Sequence, residues 1–143
     1  MCGAHAAVRH LIGGILEDAG RVTIVDMEAG LEHLSRATGR HVDTLLVTLE
    51  PYYKALETAR RCVELGGELG IRRVLGIGNK IHDEVDAASV LDFAAAHRIA
   101  VAEMVPFDDA IRRADVAGAP ISQIEDGPAL AAIDRLADKL FSL

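Results

Sequence analysis

Few residues in this chain of 143 have types and spacing that could do chemistry, and they follow short apolar runs. Asp26 ends the run VTIVD and is followed, after Met27 and Glu28, by Ala29-Gly30. A carboxylate at the end of a strand, before a small-residue turn, is well placed to hold a magnesium shell and orient a water beside a phosphate. The same pattern also describes an Asp that simply ends a strand and opens a turn. Asn79-Lys80 follows the run RVLGIG. By local sequence these are a strand-end turn Asn and an exposed Lys. Pro106, Phe107 and Asp108 follow a further run, and Asp108 also suits a helix N-cap. Glu28 and His33 read as solvated or capping side chains. Cys62 sits among helical apolar positions as a small core residue. Cys2 reads as a terminal thiol.

A magnesium-positioning carboxylate calls for a phosphate-binding loop. The Walker form is Gly, four residues, Gly, Lys, then Ser or Thr. Only three lysines exist: Lys54 follows Tyr53, Lys80 follows Asn79 and Lys139 follows Asp138. None follows a glycine, so the sequence contains no Walker lysine. Gly76-Ile77-Gly78 is a weak signal by itself.

The elements that must position these residues alternate. Residues 4–18 read as a helix, Val22–Asp26 as a strand, Leu31–Thr38 as a short helix or turn, and Thr44–Leu49 as a second buried strand. Tyr53–Leu69 reads as a helix stopped at Gly70. Arg73–Gly78 is a third strand, Glu84–Ala96 a helix, Val101–Val105 a fourth strand and Asp108–Ala114 a short helix. A last helix follows Pro128, with Leu130, Ile133, Leu136 and Leu140 as its buried stripe. With two Tyr, three Phe and no Trp, the core must be filled by Ala, Val, Leu and Ile. The expectation is a single α/β domain over residues 1–143, with a parallel sheet of about four strands and flanking helices. In such sheets ligands sit at the carboxyl ends of the strands. The residues there are Asp26, Met27 and Glu28, Glu50 and Pro51, Asn79 and Lys80, and Pro106 to Asp108. A net charge of −7 argues against nucleic acid as a partner. No apolar run is long enough to span a membrane, and no secretory pattern opens the chain, so a cytoplasmic location is expected.

Six stretches occur in order: CGAHAAVRHL, VTIVDMEAGLEHLSRAT, VDTLLVTLEP, the helix containing ETAR, LGIRRVLGIGNKI and VPFDDAIRRADVAG. In that order, from residue 2 to about residue 125, they resemble the later part of the CooC-type ATPases. These are carbon monoxide dehydrogenase maturation factors in the MinD/ParA group of deviant-Walker P-loop proteins. The resemblance implies a partial P-loop NTPase (MinD-like) fold lacking the P-loop strand. It implies ATP or ADP with magnesium in the complete member, Asp26 acting on the magnesium through water, and Asn79 and Lys80 beside the adenine. Pro106, Phe107 and Asp108 would form the opposite wall. Cys2 matches the second cysteine of the family's Cys-x-Cys, which implies a zinc or nickel ion shared across a dimer interface. The family's P-loop and first cysteine precede the matched region, so the chain reads as N-terminally truncated.

The activity implied for the parent is ATP-dependent nickel insertion into carbon monoxide dehydrogenase. The chain by itself is not expected to hydrolyse ATP, and binding of no cofactor by this chain stays open. A homodimer, or a partner chain supplying the P-loop half, is implied. In this group the P-loop strand lies between the strands that match Val22–Asp26 and Thr44–Leu49. Those two are therefore expected either to close on each other or to take a strand from another copy or fragment. Two other readings remain. One is a non-catalytic interaction subunit pairing with a P-loop partner. The other is a receiver-like phosphorylation switch using Asp26, Thr48 and Lys80, although the required acidic pair on an earlier strand is missing.

Overall fold

The structure, a computed structural model, describes residues 22–26 and 42–141. The expected helix over 4–18, the turn at 31–38, and Cys2, His5, Glu28 and His33 lie outside the described residues. The elements in chain order are β1 (Thr44–Leu49), α1 (Tyr53–Glu68), β2 (Arg73–Ile81), α2 (Glu84–Ala96), β3 (Val101–Pro106), α3 (Asp109–Ala117), a short 3-10 turn (Ile121–Gln123) and α4 (Pro128–Phe141). The strands form a parallel three-stranded sheet in the order β1-β2-β3. Alternation of strand and helix thus yields the mixed α/β fold that it predicts.

The strand expected at Val22–Asp26 is not among these elements. The segment has no strand conformation, and Val22 and Ile24 are 65% and 87% exposed. β-branched residues favour a strand only where a neighbour supplies a pleated, half-buried surface. None of the described strands pairs with this segment, so its propensity goes unused. The sheet therefore has three described strands rather than about four, and β1 stands at its end. The possibility that Val22–Asp26 and β1 close on each other is not realised among the described residues.

β1 also departs from a fully buried run. Val47 and Leu49 are buried, while Leu46 and Thr48 between them are exposed. This period-of-two alternation is that of a strand with one covered face. β2 runs three residues past the expected Gly78, which carries Asn79 and Lys80 into the strand itself.

By its contacts the chain divides into two compact units, residues 1–45 with 61–74 and residues 46–60 with 75–143. In the first, a β-carbon on Gly66 would come 2.8 Å from Leu45 Cδ2, so glycine lets helix and strand approach. Arg73 Nε donates to Thr44 Oγ1 at 2.8 Å. The end of α1 closes with Gly70 left-handed (φ 73°), its N–H bonded to Gly67 and that of Ile71 to Gly66. This is the Schellman pattern that the Gly70 stop predicts.

In the second unit, Leu49 and Val90 are completely buried, and Ile99, Ala94 and Val105 join the core. Gly76 and Gly78 serve close packing. A β-carbon on Gly76 would sit 2.5 Å from Leu49 Cδ1, and one on Gly78 would overlap the Met104 sulfur. α4 packs on β3 through Ala129 and Ala132, which form a cluster with Val105, Ile77 and Ile111. The expected stripe of Leu130, Ile133, Leu136 and Leu140 is corrected by this geometry. Only Leu136 of the four is buried, and Ile133 is 45% exposed. The alanines allow closer approach than leucines would, so the helix turns that side to the sheet.

Candidate functional site

The carboxyl ends of β2 and β3 lie side by side. Ile81 pairs with Pro106, and Phe107 N donates to Ile81 O at 2.9 Å. Asn79-Lys80 and Pro106-Phe107, widely separated in sequence, thus flank adjacent strand ends. Between the pairs Gly78–Met104 and Ile81–Pro106, β2 advances three residues while β3 advances two. The extra residue makes a bulge at Asn79-Lys80, a device that re-aims side chains beside functional sites. Lys80 has φ 56°, the left-handed region that side chains disfavour. A second irregularity leaves Ala102 as the extra residue on β3, and its carbonyl accepts from Lys139 Nζ at 2.8 Å.

Lys80 Nζ lies 2.8 Å from Glu50 Oε1, at the residue just after β1. The hydrogen bond and charge of Glu50 push the Lys80 ammonium pKa up, with a smaller push from Tyr52. Glu50 is anchored in its turn because its carbonyl accepts from Tyr52 N at 2.7 Å. In the sequence Glu50 is simply a strand-end acid, and nothing local marks Lys80 as its partner. The signal that could have found it is position: both residues stand at the carboxyl ends of parallel strands.

Phe107 stacks with His82, the ring centroids 4.2 Å apart and the planes 21° from parallel. His82 was also missed from sequence, since a lone exposed histidine after a strand carries no signal. The His82 backbone N–H donates to Asp86 Oδ2 at 3.0 Å, while Asp83 caps α2 by accepting from Val85 N and Asp86 N.

Asp108 caps α3, with Oδ1 accepting from Ala110 N at 2.8 Å. Its other oxygen accepts from Ala129 N in the first turn of α4 at 3.4 Å. A β-carbon on Gly127 would come 2.5 Å from that same oxygen, so the approach depends on glycine. Asp108 thereby ties two helix starts to the end of β3, and both carboxylate oxygens are engaged with backbone.

Asp26 is exposed. Among the described residues no group of three His, Cys, Asp or Glu side chains is arranged to hold a metal. Cys62 is half-buried, and burial pushes its thiol pKa up, away from reactivity. For the receiver-like arrangement, Lys80 would serve Asp26; its observed ion pair is with Glu50. No helix among the described residues is long and apolar enough to cross a membrane.

No protein-family model matches the chain. It is 39% identical over 118 residues to the carbon monoxide dehydrogenase accessory protein CooC of Rhodospirillum rubrum, covering 82% of this chain and 44% of that protein. It is 34% identical over 123 residues to an uncharacterized ATP-binding protein of Methanocaldococcus jannaschii, covering 85% of this chain and 48% of that protein. The chain thus spans about half the length of the curated relatives it matches. Among solved structures, the MinD cell division protein of Aquifex aeolicus superposes with a TM-score of 0.62 at 22% identity, over 73% of this chain and 46% of that one. That likeness concerns the fold, which is of the P-loop NTPase kind. Ordered motifs, fold and relatives agree: over 82% of its length the chain is similar to CooC, in a fold that it shares with MinD.

Proposed function

We propose that this chain supplies the base-binding wall and the switch carboxylate of a CooC-like ATP-binding protein. The observation that carries the reading is the junction at the ends of β2 and β3, which brings Asn79-Lys80 beside Pro106-Phe107. Asn79 offers a donor and an acceptor to an adenine edge. The Lys80 stem and the backbone of Pro106–Asp108 would flank the ring. Asp26 would orient water on a magnesium ion bound to the phosphates. The phosphates themselves need backbone donors and a lysine that the sequence does not contain, so the phosphate loop is assigned to another polypeptide segment. In the assembled protein, ATP binding and hydrolysis would drive dimerisation and so nickel delivery to a carbon monoxide dehydrogenase. A zinc or nickel ion at Cys2 belongs to that same proposal.

The test is an NMR titration of the 15N-labelled chain with Mg-ATP, with phosphate release measured in parallel. Shifts concentrated at residues 79–82 and 105–108, absent in Asn79→Ala, are expected without hydrolysis. Undisturbed resonances at those positions would defeat the base-wall reading. Hydrolysis by the chain alone would defeat the assignment of the phosphate loop elsewhere. The missing Walker lysine also favours a second reading, a non-catalytic subunit. Stable pairing with a P-loop protein whose own ATP turnover does not need Asp26 would support it.

A further inference from the structure

We infer that Glu50 is a positioning residue for the base wall, holding Lys80 so that the bulge presents Asn79 and the lysine stem to a purine in fixed geometry. The inference deepens the proposed function and rests on it. Lys80 occupies a backbone region unfavourable to a side chain, in a bulge pinned beyond it by the Ile81–Pro106 pair. The Lys80 side chain is 56% exposed and would otherwise sample many rotamers. The Glu50 carboxylate, 26% exposed on a backbone held by the turn at Tyr52, meets its ammonium at 2.8 Å. An ion pair this exposed contributes little to stability. What it does is select one direction for a four-carbon stem before any ligand arrives. Ordering a long side chain in advance removes part of the cost of binding.

The experiment uses the full chain and follows the Asn79 side-chain amide by NMR. The probes are adenosine, Mg-ATP and inorganic tripolyphosphate, titrated into wild type, Glu50→Gln, Lys80→Met and the double variant. Glu50→Gln should weaken adenosine and Mg-ATP binding about three- to tenfold, the range for one unrestrained long side chain. Its melting temperature and any response to tripolyphosphate should not change. In the Lys80→Met background, adding Glu50→Gln should cost nothing more, because Glu50 acts through Lys80. Unchanged adenosine affinity in Glu50→Gln, or additive losses in the double variant, would overturn the inference while leaving the base wall intact. A wild-type Asn79 amide that responds to neither adenosine nor Mg-ATP would overturn the base wall and this role with it.

Discussion

Among the described residues two that bear side chains adopt left-handed backbone, Lys80 at the end of β2 and Arg98 after α2, with φ of 56° and 57°. Around Arg98 the backbone accounts for everything. Arg98 N donates to Ala95 O at 3.2 Å and Ile99 N to Ala94 O at 2.8 Å, the Schellman closure. Gly70 and Gly118 close α1 and α3 in the same way. Arginine thus stands where its two sister turns use glycine. Around Lys80 there is no helix to close. It sits in a bulge, its ammonium meets Glu50 just after β1, and two residues further on His82 stacks on Phe107. Equal dihedral angles therefore have different causes. One turn is a generic helix stop with a suboptimal residue, and the other is built from side chains that converge from three strand ends. A strained residue in a bulge beside converging strand ends is an observation from which a functional role can be argued.

The largest expected effect tests the platform under the strand end. Glu103 on β3 is 10% exposed and takes Lys139 at 2.8 Å and Arg135 at 3.2 Å, both from α4. Glu103→Ala should destabilise by about 2 kcal/mol, in the range for hydrogen bonds to charged groups, read as a lower denaturant midpoint. The bond from Lys139 is the main cause of a Glu103 pKa below the usual range, partly opposed by burial. The sign follows: its contribution is complete above the unfolded value of about 4.3 and is lost as pH falls through the lower folded value. Wild type and Glu103→Gln should therefore converge in stability in acid. A constant difference down to the acid limit would contradict the linkage.

Next in size is Asp108→Ala, which removes the caps of α3 and α4 together. A loss of about 1–2 kcal/mol is expected, with hydrogen exchange quickened in the first turns of those helices and not at the Arg98 turn. Equal quickening at both places would break the distinction between the two regions.

Arg98→Gly should go the other way and stabilise by about 1 kcal/mol, since glycine meets no steric penalty in left-handed backbone. The corresponding Lys80→Gly relieves the same strain but should lose adenosine binding. If both glycine variants kept wild-type binding, the functional reading of Lys80 would fail.

Much of the fold was legible because its signals are local. β1 and α2 have the expected bounds, and the Gly70 stop and Asp108 cap follow from residue chemistry alone. The misses are all non-local. Val22–Asp26 has a strand's composition without a described neighbour. Ile133 was assigned inward because leucines and isoleucines outweigh alanines in a periodicity, whereas close packing on Val105 prefers Ala129 and Ala132. At the candidate site, Asn79, Lys80, Pro106 and Phe107 were recognisable from ordered motifs. Glu50 stands among the strand-end residues but its pairing with Lys80 was not legible, nor was His82, because their partners lie 30 and 25 residues away, at Lys80 and Phe107.

The smallest effect sharpens the comparison most. Glu50 raises the Lys80 pKa, so the pair contributes fully below the unfolded lysine value of about 10.4 and is lost as pH rises through the higher folded value. With Lys80 56% exposed, solvent and salt screening hold the contribution to about 0–1 kcal/mol. Glu50→Gln should thus melt almost with wild type at neutral pH, and any remaining difference should vanish in strong alkali and at high salt. Side-chain NMR should still register the change, as a lower Lys80 Nζ titration midpoint in the variant. A large stability loss would make the pair a structural brace and place Lys80 in the same class as Arg98. A near-silent melt with a shifted lysine titration keeps them apart: the contact then orients a side chain without holding up the fold.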